Sequence, residues 1–180
     1  IEELVAAAKE KGNLKASTNG NKASNHTAAQ LLAKSAGFKY KAIPYGGTAD
    51  QLLALRQGEV DFTCAKVADV AKLVKGDKPE LRVLAVFNTK RDPELPNVPT
   101  LGEKGLYPEW YGSARALVAP KGTKPEVIQY YVEAFKKTMQ DPAVIEAHKK
   151  AGMALDFKDN KELGDLIKAQ DKFARDVVND

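Results

Sequence analysis

Amphipathic runs that end at glycine alternate with short apolar runs through the first two thirds of this chain. Ile1–Lys11 reads as a helix closed by Gly12, since glycine accepts the left-handed backbone just past a helix end. Leu14–Thr18 predicts a strand. Ser24 or Asn25 is placed to cap a helix over Thr27–Ala36, which Gly37 closes. Lys39–Ile43 predicts a second strand with Tyr40 and Ala42 on one side. Thr48 is placed to cap Ala49–Gln57, where Leu52, Leu53 and Leu55 form the expected buried stripe and Gly58 ends the run. Val60–Cys64 predicts a strand, Val67–Val74 a helix and Arg82–Phe87 a further strand.

Strand and helix in strict alternation predict an α/β fold with a mainly parallel sheet flanked by helices. After Phe87 the texture changes. Thr89–Pro99 carries Pro93, Pro96 and Pro99, which forbid long regular structure, and Thr100–Gly105 is at most a short helix. Ser113–Ala119 predicts a strand ended by Pro120-Lys121-Gly122-Thr123. Three helical segments follow: Pro125 leading Val127–Gln140, Asp141-Pro142 to Ala151, and Asn160–Val178. In the last, Leu163, Leu166, Ile167, Phe173, Val177 and Val178 recur at helical spacing. Apart from a short strand at Met153–Asp156, these helices have little sheet to cover and need an apolar partner. Self-association of the chain would supply one.

Composition narrows the class without choosing it. The 180 residues suffice for one large domain or for a domain with a small second lobe, and 28 Lys/Arg against 24 Asp/Glu leave a net charge of +4. The signs are interspersed, as in Lys158-Asp159-Asn160-Lys161-Glu162, which fits a solvated surface and argues against a nucleic-acid partner. Cys64 is the single cysteine, so an internal disulfide is excluded; it reads as a small buried residue. No apolar stretch reaches membrane-spanning length. The chain opens within a helical pattern and without methionine, so it reads as a piece of something longer.

The chemistry lies in two strand–loop–helix junctions. The first, Ser17-Thr18-Asn19-Gly20-Asn21-Lys22-Ala23-Ser24-Asn25-His26, and the second, Pro44-Tyr45-Gly46-Gly47-Thr48, both leave the carboxyl ends of predicted strands, where open parallel sheets bind ligands. Glycine lets each loop turn tightly, and a helix start offers unpartnered N–H groups with a partial positive charge. Together they read as a cradle for a small anion. The candidate ligand-binding residues are Ser17, Asn19, Asn21, Ser24 and Asn25 from the first loop and Tyr45, Gly46, Gly47 and Thr48 from the second. Lys66 is either a cleft cation or a solvated surface group, and Arg115 sits in a crossing strand, where a charge needs a partner. His26 lies inside the new helix and reads as a brace for the loop. Asp61 reads as structural, and Trp110 and Tyr111 read as packing. No metal-ligand spacing, phosphate loop or nucleophile–base pair is present in the pattern, so no metal, cofactor or catalytic residue is expected. An enzyme acting on a small anionic substrate at the same loops is the alternative.

Longer motifs carry a family resemblance. Ile43-Pro44-Tyr45-Gly46-Gly47, Gly58-Glu59-Val60-Asp61, Leu81–Val86 and Val118-Ala119-Pro120-Lys121-Gly122-Thr123 occur in order around the run Arg91-Asp92-Pro93-Glu94-Leu95-Pro96-Asn97-Val98-Pro99-Thr100-Leu101-Gly102-Glu103-Lys104-Gly105. In these the chain resembles the solute-binding receptors of tripartite tricarboxylate transporters, the TctC or Bug family. The resemblance implies a two-lobed fold like that of type II periplasmic binding proteins. It also implies a small carboxylate held in the interlobe cleft, a membrane permease as partner, and a periplasmic place or an anchor on the outer face of the cytoplasmic membrane. On that reading residues 1–112 form the second lobe, 113–123 cross back, and 124–180 are helices of a first lobe whose N-terminal portion is absent. Three departures stand out. Ala65-Lys66 replaces an aspartate–asparagine pair, Ala114-Arg115 replaces an aromatic pair, and the first loop carries extra asparagines at Asn19, Asn21 and Asn25.

Overall fold

A computed structural model describes residues 1–76, 78–153 and 155–178. Within it the chain forms two compact units, Ile1–Ser113 and Ala114–Asp176. The first holds the strands β1 (Lys15–Thr18), β2 (Lys41–Pro44) and β3 (Phe62–Thr63), with helices α1 (Glu2–Lys11), α2 (Ser24–Ala36), α3 (Thr48–Arg56) and α4 (Val67–Val70). The strands are parallel in the order β2-β1-β3. The α/β class and parallel sheet expected from the alternating pattern are therefore present.

Register brings the loops together. Ser17 of the central strand pairs with Ile43 on one side and Thr63 on the other. The chain leaves β1 through α2 to reach β2, then crosses back through α3 to β3 on the far side of β1. This reversal at β1 is the switch point where such sheets open a crevice. Ala16, Ser17 and Thr18 are all buried, so the strand that feeds the first loop is held on both faces.

The helix starts differ from expectation. α2 begins at Ser24, a turn earlier than predicted, and neither Ser24 nor Asn25 caps it; Ala23 holds the cap position in extended backbone. α3 begins at Thr48 rather than after it, with Gly47 in the cap position and no side-chain cap. Its buried face is also shifted. Gln51, Leu52 and Ala54 are buried, Leu55 is half-buried, and Leu53 is 47% exposed. Three leucines within four residues span more than one helix face, so packing on β1 and β3 decides which go in.

Other expected elements are shorter. The helix at Val67 stops at Val70 and relaxes into turns. The strand expected over Arg82–Phe87 reduces to a bridge at Val86, whose N–H donates to Pro99 O and whose carbonyl accepts from Leu101 N, each at 3.0 Å. Its neighbour here is Thr100, preceded directly by Pro99, and proline has no N–H to continue a ladder. The turn that follows buries Leu101 at 1% exposure, along with Leu95, Thr100 and Tyr107.

Beyond the first unit's sheet, residues 113–120 are exposed and irregular, so the crossing strand expected at Ser113–Ala119 is not formed. No neighbouring strand takes up its backbone groups among the described residues. The helices α5 (Pro125–Met139), α6 (Pro142–Lys150) and α7 (Asn160–Val178) follow the predicted bounds within a residue or two. Asp141 caps α6 by accepting from Ala143 N at 2.8 Å, and Asp159 accepts from Lys161 N and Glu162 N at the start of α7. Neither α5 nor α6 buries a single residue; Val127, Tyr131 and Phe135 lie exposed along one side of α5. The expected strand at Met153–Asp156 runs through position 154 and lies outside the described residues. So do the side chains of Phe173, Val177 and Val178.

Candidate functional site

Gly20 turns the first loop with φ 114°, a conformation that costs a side-chain-bearing residue, and Lys22 follows at φ 60°. Two contacts hold this turn against α2. The Lys22 N–H donates to His26 Nδ1 at 2.9 Å, and the Asn25 N–H donates to Asn19 Oδ1 at 3.3 Å. His26 is thus a brace, as its place in the helix suggests. The bond requires an unprotonated Nδ1, and burial lowers the pKa of the ring below the usual 6.5. Tyr111 adds a third hold, its hydroxyl donating to Ser24 O at 3.3 Å while its ring meets Phe87 edge-on. Sequence reasoning read Tyr111 only as packing.

Beneath the loop lies a buried polar network. Asn25 Nδ2 donates to Gln51 Oε1 at 2.8 Å, and the Ser17 hydroxyl donates to Gln51 O at 3.3 Å. Thr63 Oγ1 donates to Ser17 O at 3.1 Å and lies 3.5 Å from Gln51 Nε2. Ser17 and Gln51 are fully buried, and Asn25 is 6% exposed. Of the candidates, Ser17 and Asn25 therefore sit in the floor of the site, while Asn19 and Ser24 are half-buried and Asn21 is exposed at the rim. Gln51 and Thr63 were missed. A signal existed for Gln51, a polar residue one helical turn before Leu55 on α3.

The second loop is built differently. The Tyr45 N–H donates to Thr18 O at 2.8 Å, extending the β1–β2 pairing by a residue. Its hydroxyl is 3.3 Å from a Glu59 carboxylate oxygen; desolvation, then that charge, raises the phenol pKa. Gly46, Gly47 and Thr48 carry the turn into α3. Asp50 stands in the first turn of α3, whereas α2 has no acid in its first turn. A carboxylate already near its start makes α3 a poorer seat for an anion, so the positive end of α2 is the stronger of the two.

The remaining candidates lie apart. Lys66 is exposed at the start of α4. Arg115 is exposed in the irregular segment of the second unit. Asp61 accepts from Lys15 N at 2.7 Å, tying the approach to β3 onto β1, which is a structural role. Cys64 is half-buried, and desolvation pushes its thiol up to about 12, far from a reactive thiolate. Among the described residues no group of three His, Cys, Asp or Glu side chains could hold a metal ion, and no helix is long and apolar enough to cross a membrane.

A parallel sheet with a glycine-turned loop feeding an acid-free helix start is an α/β unit of the periplasmic-binding-protein kind. The family model for the tripartite tricarboxylate transporter family receptor (TctC) matches residues 1–180, and the chain belongs to that family. It is 36% identical over 143 residues to a UPF0065 protein in the gbd 5' region of Cupriavidus necator, covering 79% of this chain and 42% of that one. It is 30% identical over 149 residues to the protein BugT of Bordetella pertussis, covering 82% and 45%. The chain spans about half the length of the curated relatives it matches. Among solved structures, a TctC solute-binding protein from Polaromonas superposes with a TM-score of 0.88 at 27% identity, over 99% of this chain and 60% of that one. MatC from Rhodopseudomonas palustris with bound malate superposes at 0.77 and 22% identity, over 99% and 61%. An R. palustris protein with adipate gives 0.79 and 21%, over 99% and 60%.

Proposed function

We propose that the chain is part of an extracytoplasmic solute-binding receptor that captures a small carboxylate and delivers it to a membrane permease. The observation that carries this reading is the first loop. Asn19, Gly20 and Asn21 lead into a helix start that has no acid in its first turn, and the turn is braced by His26 and Asn25. Backbone N–H groups and a helix dipole there favour a carboxylate oxygen over a neutral or cationic group. Asn21 and Ser24 add side-chain donors, while Ser17 and Asn25 hold the floor. Tyr45, Gly46, Gly47 and Thr48 border the seat from the second loop.

Family membership supports the receptor role, and structural neighbours that hold malate and adipate support dicarboxylates as the ligand class. On this reading residues 1–112 are the second lobe, 113–123 the crossing segment and 124–180 helices of the first lobe. The exposed apolar side of α5 would then meet the rest of that lobe or, where this chain stands alone, a second copy. The complete receptor works in the periplasm or anchored on the outer face of the cytoplasmic membrane. No covalent step is required, because binding and release suffice.

Isothermal titration of the protein as its source produces it, with malate, adipate, citrate, an amino acid and an aromatic acid, tests the proposal. Saturable binding of one carboxylate, lost when its amide replaces it, is expected. Heat-silent mixing across the whole panel, with no rise in melting temperature, would overturn it.

A further inference from the structure

The buried network under the two loops has a fixed direction at every link. Thr63 Oγ1 spends its one proton on Ser17 O, so toward Gln51 Nε2 it can only accept. That orients the Gln51 carboxamide with Nε2 toward β3 and Oε1 toward Asn25 Nδ2, 2.8 Å away. Asn25 is oriented in turn, and its own N–H is what Asn19 Oδ1 accepts from the loop. The fourth link, from the Ser17 hydroxyl to Gln51 O, returns to the same residue. One fully buried glutamine on α3 thereby joins the carboxyl ends of β1 and β3 to the start of α2.

A polar side chain in such a place is expensive to bury, and it is stable only when every arm is satisfied. A leucine at position 51 would complete the apolar stripe with Leu52 and Leu55 at lower risk. The amide earns its place by registration. It fixes the first loop relative to the strand ends before a ligand arrives. We infer that Gln51 is a positioning residue for carboxylate binding, acting through Asn25 on the turn at residues 19–25. This inference rests on the carboxylate-receptor reading for its affinity arm, but not for its structural arm.

The experiment compares Gln51→Met, which keeps the length and removes both amide arms, with Leu31→Ala, a core variant in α2 that lowers stability without touching the network. Two quantities are read on the full chain: amide hydrogen exchange across residues 18–26 without ligand, and affinity for malate and adipate. Gln51→Met is expected to speed exchange at residues 19–25 selectively and to weaken the bound dicarboxylate by about tenfold, the loss of one buried hydrogen-bonded anchor. Leu31→Ala should lower the melting temperature while leaving affinity within about twofold. Should Gln51→Met not fold, Thr63→Val removes the Nε2 partner and its bond to Ser17 O while leaving the Gln51–Asn25 link, and is expected to shift both readouts in the same direction by a smaller factor. Unchanged exchange at 19–25 and unchanged affinity in a folded variant would overturn the inference. If the wild-type protein binds no carboxylate, the receptor reading fails, and the exchange data alone then decide whether Gln51 positions the loop.

Discussion

Thr100 and Glu103 cap each other: the Glu103 N–H donates to Thr100 Oγ1 at 3.0 Å, and the Thr100 N–H donates to Glu103 Oε2 at 2.8 Å. This is the reciprocal arrangement of a capping box, used here to close a turn rather than to start a helix. Arg91 Nε bonds both oxygens of the same carboxylate at 3.1 Å, and its Nη1 reaches Pro96 O at 3.3 Å. The run from Arg91 to Gly105 that carries the family resemblance is thus a knot. Its prolines remove backbone donors, and its arginine and glutamate supply the replacements.

Thr100→Ala should destabilise the first unit by about 1 kcal/mol, a fall in melting temperature of about 4 °C. The hydroxyl is lost where Thr100 is 3% exposed, so water cannot easily replace it. Thermal denaturation followed by circular dichroism checks this, and Thr100→Ser should retain most of the wild-type value.

The Glu103 carboxyl is held below its usual 4.5 by the Thr100 N–H, then by Arg91. A depressed folded-state pKa adds stability that is present above the unfolded value and is lost as pH falls through it. Wild-type stability should therefore decline below about pH 4.5 more steeply than that of Glu103→Gln, as urea midpoints between pH 3 and 6 would show.

His26 has the opposite chemistry and the same direction. Its pKa is lowered from 6.5 by burial, so the unfolded chain takes up the proton first, and stability falls as pH drops below about 6.5. Protonation also turns Nδ1 from acceptor to donor and breaks the bond from the Lys22 N–H. Relative to its intrinsic rate, amide exchange at residues 20–25 should quicken between pH 7 and 5 in the wild type. In His26→Asn, whose side-chain oxygen accepts at any pH, it should follow only the intrinsic pH dependence.

Leu52 and Leu53 should part sharply. Leu52→Ala removes a side chain only 7% exposed and is expected to cost about 2–4 kcal/mol, whereas Leu53→Ala, at 47% exposed, should cost about 0.5 kcal/mol. Equal losses in chemical denaturation would mean that α3 is rotated from the orientation described.

Gly37 ends α2 at φ 69° and donates its N–H back to the helix. Gly37→Ala should destabilise by about 1 kcal/mol through left-handed strain alone, since an added Cβ meets nothing within 4 Å. The melting curve should shift without any change in the far-UV spectrum at 20 °C.

Much of the fold was legible because its signals are local. Gly12, Gly37 and Gly58 each take a positive φ where the amphipathic runs stop. Asp141 and Pro142 start α6 as their chemistry requires. Caps were misplaced where the loop, rather than the first helical residue, supplies the partner: Asn19, six residues upstream, serves the Asn25 N–H. The strands at 82–87 and 113–119 were misread because an apolar run states that a segment can pair. It does not state that a neighbour with free N–H groups lies beside it.

The sequence by itself determined the alternation of strand and helix, the two glycine loops at the strand ends, and the motifs of the receptor family. Each of these depends on residues near one another in the chain. Only the tertiary structure decided that Gln51 goes inside while Leu53 stays out, and that Ser17 and Asn25 are buried beneath the first loop and bonded to Gln51. Those outcomes depend on strand register and helix rotation, which set whether a polar group loses its water and which distant atom replaces it.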